Sequence, residues 1–412
     1  MGIMRQDCVA LDSGDELSAL RERFAMPDGV IYLDGNSLGA LPRHVPARLR
    51  EVVDGEWGNG LIRSWNDAGW IDAPRRTGAR IARLIGATAA EVVVADSTSV
   101  NLFKLLVAAL RLNPGRNVIL TQHGNFPTDL YVAQGVAELL GAELRRAGPN
   151  HDAVLAALDD RVGVLALSHV DYRTGLINPM RRFNAAAHAA GALTLWDLCH
   201  SAGAIDVELD DADADFAVGC GYKYLNGGPG APAFAFVARR HHDRFRQPIA
   251  GWFGHAQPFA FADDYTPAPG IDRVQCGTPP MLSLLALESA LDAFDGVDLA
   301  ALRRKSRALG DLFIRLVDET LGPFGFAVAS PRDGQVRGSQ VSLTHPQGHA
   351  VMQALIERGI IGDFRAPDIL RFGFAPLYVR FVDVFDAVEA IGEIMGSGEW
   401  SQPRFLVRKA VT

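Results

Sequence analysis

Phe216-Ala217-Val218-Gly219-Cys220-Gly221-Tyr222-Lys223-Tyr224-Leu225-Asn226-Gly227-Gly228-Pro229-Gly230 is the stretch from which the rest of the chain is read. An apolar, strand-like run ends at Gly219 and one lysine stands between two tyrosines. A glycine-rich turn follows, and a second apolar run, Ala231 to Val237, leads back inward. Lysine is costly where a strand enters a buried turn, because its charge must be desolvated. An amine in a partly dry site also gives up its proton more readily, which suits a nucleophile or a Schiff-base former. Taken alone, a lysine after a strand is ordinarily a surface residue, so its surroundings must decide.

On the amino-terminal side the apolar run recurs at Glu91–Ala95, Asn117–Leu120, Val162–Leu167 and Leu193–Trp196. Helical patterns separate these runs at Ser99–Leu110, Thr128–Leu140 and Pro179–Ala190. Short runs that are apolar on both faces mark parallel strands covered by helices on each side. The alternation predicts an α/β fold with a mostly parallel sheet. After about Gly270 the character changes to long helical patterns, Met281–Phe294 and Leu299–Leu321. A smaller α+β unit follows, with strands at Gln340–Leu343 and Ile369–Phe374 and helices at His349–Glu357 and Asp383–Met395. The expected division is residues 61–300 as the large domain and 301–412 as the small one, which residues 1–60 join.

A chain of 412 residues exceeds one ordinary core, in keeping with two domains. Its 48% hydrophobic and 21% charged residues are globular proportions. A net charge of −8 without a basic block weighs against nucleic acid or anionic membrane as partners. Cys8, Cys199, Cys220 and Cys276 are widely spread, which fits a reducing compartment better than a disulfide framework or a zinc site. The first ten residues lack the apolar core of a signal peptide, and no apolar run would span a bilayer. The expectation is a soluble, cytoplasmic protein.

In parallel sheets ligands gather outside the carboxyl ends of the strands. There, Asp96-Ser97-Thr98-Ser99 opens a helix directly. Hydroxyls and free backbone N–H groups at a helix start make a phosphate cradle, although Ser97 or Ser99 as a plain N-cap would read the same way. Phe126 offers a ring just before the helix entry at Pro127. Asp197 follows the run Leu193–Trp196, with His200 three residues on. That carboxylate could cap a helix, bind a metal or pair with a protonated heterocyclic nitrogen. No close set of further ligands completes a metal site. A phosphate cradle, a ring to stack on, an acid for a pyridinium nitrogen and a Schiff-base lysine are together what pyridoxal phosphate requires.

The chain also resembles the kynureninases, members of the aspartate-aminotransferase-like, fold type I pyridoxal-phosphate enzymes. The likeness runs nearly end to end. It is carried by Tyr32–Gly39, Phe126-Pro127-Thr128-Asp129, Trp196–Gly203, Gly221–Gly230, Gly251–His255, Gly277–Pro280 and Arg371–Tyr378. Related desulfurases and aminotransferases usually place His before the lysine, where this chain has Tyr222. The resemblance implies that Lys223 holds the cofactor as a Schiff base, that Asp197 pairs with its ring nitrogen and that His200 lies beside both. It implies Phe126 stacked on the ring, with Pro127, Thr128 and Asp129 completing that wall. Ser97, Thr98, Ser168 and Tyr222 would lie at or near the phosphate, and Trp252 and Thr278 would reach it from the second subunit of a homodimer. Arg371 would clamp the substrate α-carboxylate. The family form is Phe-Pro-Ser-Asp, so Thr128 is a departure that keeps the hydroxyl. Thr278 stands where the human-type enzymes have Asn, which points to the bacterial type. The implied reaction is hydrolysis of L-kynurenine to anthranilate and L-alanine, with the 3-hydroxy derivative as a second substrate and Tyr222 as acid–base partner. A class V aminotransferase or cysteine desulfurase, with Cys276 as the cysteine to check, and a non-catalytic binding protein on the same scaffold are the alternatives.

Overall fold

The structure, a computed structural model, describes residues 2–408. In chain order its strands are β1 (Ile31–Tyr32), β2 (Val92–Val94), β3 (Val118–Gln122), β4 (Glu143–Ala147), β5 (Val162–Ser168), β6 (Leu193–Asp197), β7 (Phe216–Cys220), β8 (Ala233–Val237), β9 (Ala327–Val328), β10 (Gln340–Thr344), β11 (Ile360–Ile361), β12 (Asp363–Arg365) and β13 (Ile369–Gly373). A seven-stranded sheet has the order β2-β8-β7-β6-β5-β3-β4. Its β7, β6, β5, β3 and β4 are joined in parallel, and β8 runs antiparallel between β7 and β2. The direction of β8 goes with its connection to β7, residues 221–232, a glycine-rich turn that carries no helix of the kind that makes a parallel crossover.

Alternate residues of these strands point to opposite faces and feed two separate cores. Val92, Leu165, Trp196, Ala217 and Phe236 enter one core, and Val93, Val164, Leu195, Phe216 and Ala235 enter the other. Both faces are thus dry, as the continuous apolar runs predicted. The sequence reading missed β4, because Glu143-Leu144-Arg145-Arg146 lies half-buried at the sheet edge, where polar side chains are tolerated.

A second, four-stranded antiparallel sheet, β12-β13-β10-β9, lies beyond the long helix Leu299–Thr320. The chain's beginning packs there too. The helix Arg5–Ser13 lies on the helix Phe381–Ser397, and β1 pairs with β11. Asp12 accepts the Phe381 and Val382 N–H groups at 2.7 and 3.0 Å, capping the second helix's amino end. Asp34–Gly39 then crosses to the large sheet, where the Gly39 N–H donates to the Tyr222 carbonyl at 2.8 Å. A Cβ on Gly39 would overlap the Lys223 carbonyl oxygen, so only glycine lets the crossing lie this close.

At the opposite, amino edge of the large sheet a buried carboxylate ties four elements. Asp215 accepts from His188 and the Thr194 N–H at 2.8 Å, Arg240 at 2.8 Å and His241 at 2.7 Å. Burial opposes its charge, but the hydrogen bonds from His188 and His241 win and hold Asp215 well below the usual carboxylate range. The Asp215 hydrogen bond in turn raises His188. The depressed Asp215 contributes stability that is present above 3.8 and lost as pH falls further. The raised His188 contributes stability that is present below 6.5 and lost as pH rises through its shifted value. Asp215→Asn is therefore expected to lower the melting temperature most between those two values. The gap to wild type should close on both sides, and a gap constant across a pH series of thermal melts would refute this account.

Candidate active site

The parallel strands deliver their carboxyl ends to one edge, and the expected residues meet there around a cavity of about 220 Å3. Thr98, Phe126, Thr128, Asp129, Ser168, Asp197, His200, Tyr222 and Lys223 all line it. Register sets part of this: Ser168 and Asp197 are direct partners across β5 and β6. Asp197 is buried, and its Oδ1 accepts the Cys199 N–H at 2.8 Å. Lys223 lies just beyond β7, with Nζ 3.0 Å from His200 Nε2 and 5.8 Å from the Phe126 ring centre.

Burial, then the Asp197 charge, pushes Asp129 well above the usual carboxylate range. The two causes act together, because burial and a neighbouring negative charge both disfavour the ionised form of Asp129. Burial likewise raises the Tyr222 phenol, which therefore stays protonated. Desolvation, with Lys223 and Arg371 acting in the same direction, drives His200 well below the ordinary imidazole value and keeps it neutral.

Other expected positions fall elsewhere. Ser97 does not line the cavity. Its Oγ accepts the Val100 N–H at 3.4 Å as the helix N-cap, and Thr98 and Ser99 of the same helix start line the cavity instead. Pro127 begins its helix behind Phe126 without reaching the cavity. Trp252 packs against Trp65 and Phe253, and Thr278 is exposed; neither touches this chain's own cavity.

Arg371 also stands back from it. The residue is 2% exposed and sits directly opposite Asp363 across β13 and β12. Its Nε donates to Asp363 at 2.6 Å and Nη2 reaches the same carboxylate. Nη1 donates to the Tyr172 carbonyl at 2.8 Å. Tyr172, whose ring meets Phe126 edge-on at 5.2 Å, forms the cavity wall between. Arg371 outweighs the burial of Asp363 and holds it low, whereas burial and the Asp363 charge push Asp34 up to about 7.

Tyr172 and Gln340 escaped the sequence reading. Tyr172 was within reach, since it follows the end of β5 by four residues. Gln340 begins a strand of the other sheet, and no sequence rule carries it to Lys223. Cys276 is half-buried and engaged by a neighbour: its Sγ lies 3.4 Å from Asp96 Oδ2, which also pairs with the fully buried Lys104. Lys104 ties this pair to the Val274 carbonyl at 2.6 Å.

The site suits a phosphorylated aromatic cofactor. Phe126 keeps 36% of its surface exposed at the cavity, a ring face free for stacking, and a helix start with two hydroxyl side chains opens beside it. The fold agrees with that class. The apo cysteine desulfurase of Thermococcus onnurineus NA1 is similar with a TM-score of 0.77 at 20% identity, over 92% of this chain and 98% of that one. A cystine C–S lyase solved with cysteine persulfide is similar with a TM-score of 0.78 at 17% identity, over 89% and 98%. The chain has the fold type I architecture of the pyridoxal-phosphate enzymes.

Sequence comparison narrows the class. The Kynureninase C-terminal domain family matches residues 302–391. The kynureninases of Pseudomonas fluorescens and of Burkholderia pseudomallei strain 1106a are each 52% identical, over 99% of this chain and 99% of theirs. The chain belongs to the kynureninase family.

Proposed function

We propose that the protein hydrolyses the Cβ–Cγ bond of L-kynurenine, giving anthranilate and L-alanine, with pyridoxal phosphate held at Lys223. The observation that carries this reading is the Lys223 amine, set among Asp197, Phe126 and Tyr222 in a chain 52% identical end to end with kynureninases. Bound there, the cofactor supplies an electron sink for negative charge developing on the substrate.

The chain's own groups divide the remaining work. Lys223 Nζ takes the substrate α-proton, and neutral His200 receives that amine's N–H without competing for its charge. Asp197 is the anion for the ring nitrogen. Asp129, its carboxyl pushed up by burial and by Asp197, lies on the same wall and accepts from Ser168. Thr98, Ser168 and the free N–H groups at the start of the helix Thr98–Leu112 receive the phosphate. Tyr222 keeps its proton for delivery to the developing alanine. Arg371 binds the α-carboxylate by exchanging it for the Tyr172 carbonyl on Nη1. Trp252 and Thr278 complete the partner's site in a homodimer, which the exposed Phe259, Phe261 and Ile62 near that segment support as an interface. Absence of any helix long and apolar enough to cross a membrane, among the described residues, is in keeping with the cytoplasmic reading.

Incubated with pyridoxal phosphate and L-kynurenine, the protein is expected to release fluorescent anthranilate and one equivalent of alanine. Transamination without anthranilate, or sulfide release from cysteine in its place, would favour the aminotransferase or desulfurase readings. The engagement of the Cys276 thiol with the Asp96 carboxylate, whose negative charge disfavours a thiolate, weighs against the latter.

A further inference from the structure

We propose that Gln340 is a positioning residue. It fixes His200 as the Nδ1–H tautomer, leaves Nε2 bare to receive Lys223 Nζ, and so ties the small sheet to the reactive amine. The proposal deepens the reading above, since it rests on Lys223 being that amine.

The Tyr172 carbonyl can only accept, so the Gln340 amide nitrogen, 3.1 Å away, faces it. That orientation turns Gln340 Oε1 toward His200 Nδ1, also at 3.1 Å. An amide oxygen can only accept, so Nδ1 carries the hydrogen. A neutral imidazole has one N–H, which leaves Nε2 as a bare lone pair. Lys223 Nζ stands 3.0 Å from it and donates. Neutrality of the ring follows from its surroundings: it is buried, Lys223, Arg371 and Arg365 all oppose a further positive charge there, and among the described residues no carboxylate, Asp197 and Asp129 of the same cavity included, hydrogen-bonds to it.

Gln340 does not belong to the large sheet. It opens β10, is 1% exposed and pairs in register with Gly373. His200 and Lys223 both follow strands of the seven-stranded sheet. The hydrogen-bond line Lys223–His200–Gln340–Tyr172–Arg371 therefore runs from the amine to the guanidinium expected to meet substrate carboxylate. Seating of the small sheet sets which nitrogen of His200 faces the lysine. Were the small sheet to move away, the imidazole could exchange tautomers and the amine would lose its acceptor.

The direct test is nitrogen NMR of the full chain labelled at histidine, with and without pyridoxal phosphate. His200 is expected to show a protonated Nδ1 and a bare Nε2 in both. A protonated Nε2, or the averaged signals of tautomers in exchange, would overturn the proposal. Gln340→Glu keeps the acceptor but adds a charge beside the ring. It is expected to protonate His200 at both nitrogens near neutral pH, so that an N–H confronts Lys223 where a lone pair had been. In the loaded enzyme the pH titration of the lysine-bound cofactor's visible band should then move to lower pH. In that variant kcat should drop roughly tenfold or more at nearly unchanged KM. A purely structural role would lower the melting temperature and leave the titration in place, which would also defeat the proposal. Should the variant fail to fold, the wild-type nitrogen spectrum decides alone. That spectrum needs no substrate, so failure to release anthranilate would sink the reaction reading and leave this one to be judged separately.

Discussion

Lys223→Ala is expected to cost on the order of 10^3- to 10^4-fold in anthranilate release and to abolish covalent retention of pyridoxal phosphate. The chain offers little to replace the lost amine. It has four lysines, Lys104, Lys223, Lys305 and Lys409. Lys104 is fully buried against Asp96. Lys305 is buried against Asp15 at 2.7 Å. Lys409 lies outside the described residues. Borohydride reduction of the wild-type protein followed by peptide mass mapping should place the reduced cofactor on the peptide carrying Lys223. In the variant no peptide should carry it. A reduced adduct at another lysine, or turnover near the wild-type rate, would show that the amine has been misassigned.

Arg371→Leu is expected to hurt both stability and substrate binding. Arg371 and Asp363 are 2% and 1% exposed, so removing Arg371 leaves the buried Asp363 carboxylate only the more exposed Arg365, at 2.8 Å, and the Ser37 hydroxyl as partners. Loss of one member of such a pair costs about 3–5 kcal/mol. Asp34 aggravates this, since it is already pushed up to about 7 by burial and by Asp363. The sign of the pH effect follows. Asp363 is held below its ordinary value, so its pairing stabilises above 3.8 and is lost as pH falls. The deficit of Arg371→Leu in chemical denaturation should therefore shrink on acidification. Replacing Asp363 by leucine as well should restore much of the stability but not the affinity for kynurenine, because the carboxylate still lacks its cation. We expect KM to rise about 10- to 100-fold in both variants, from the loss of charge-assisted hydrogen bonds. A normal KM in either would remove Arg371 from substrate binding. A single variant as stable as the double would mean that the ion pair is not what the burial implies.

The main features of the large domain were legible because its strands are buried on both faces. Continuous apolar runs such as Val162–Leu167 admit few other readings once helices alternate with them, and the strand-end rule then located Asp197, Phe126 and Lys223 without reference to any relative. The edge strand β4 was lost because exposure lets polar residues in. Ser97 illustrates the limit for single side chains: a serine that caps a helix and one that receives a phosphate look alike in sequence, and only the direction of its Oγ separates them.

What the sequence determined by itself was therefore the α/β class, the ligand edge and a lysine, acid and ring suited to pyridoxal phosphate, since each depends on local pattern and chain order. Tertiary structure alone decided that Arg371 is locked on Asp363 behind Tyr172, that burial and Asp197 push the Asp129 carboxyl up, and that Gln340 reaches His200. These are contacts between residues as much as 199 positions apart, for Tyr172 and Arg371, brought together where the small sheet meets the carboxyl edge of the large one. Their protonation follows from burial and neighbouring charge, quantities that exist only once the chain has folded.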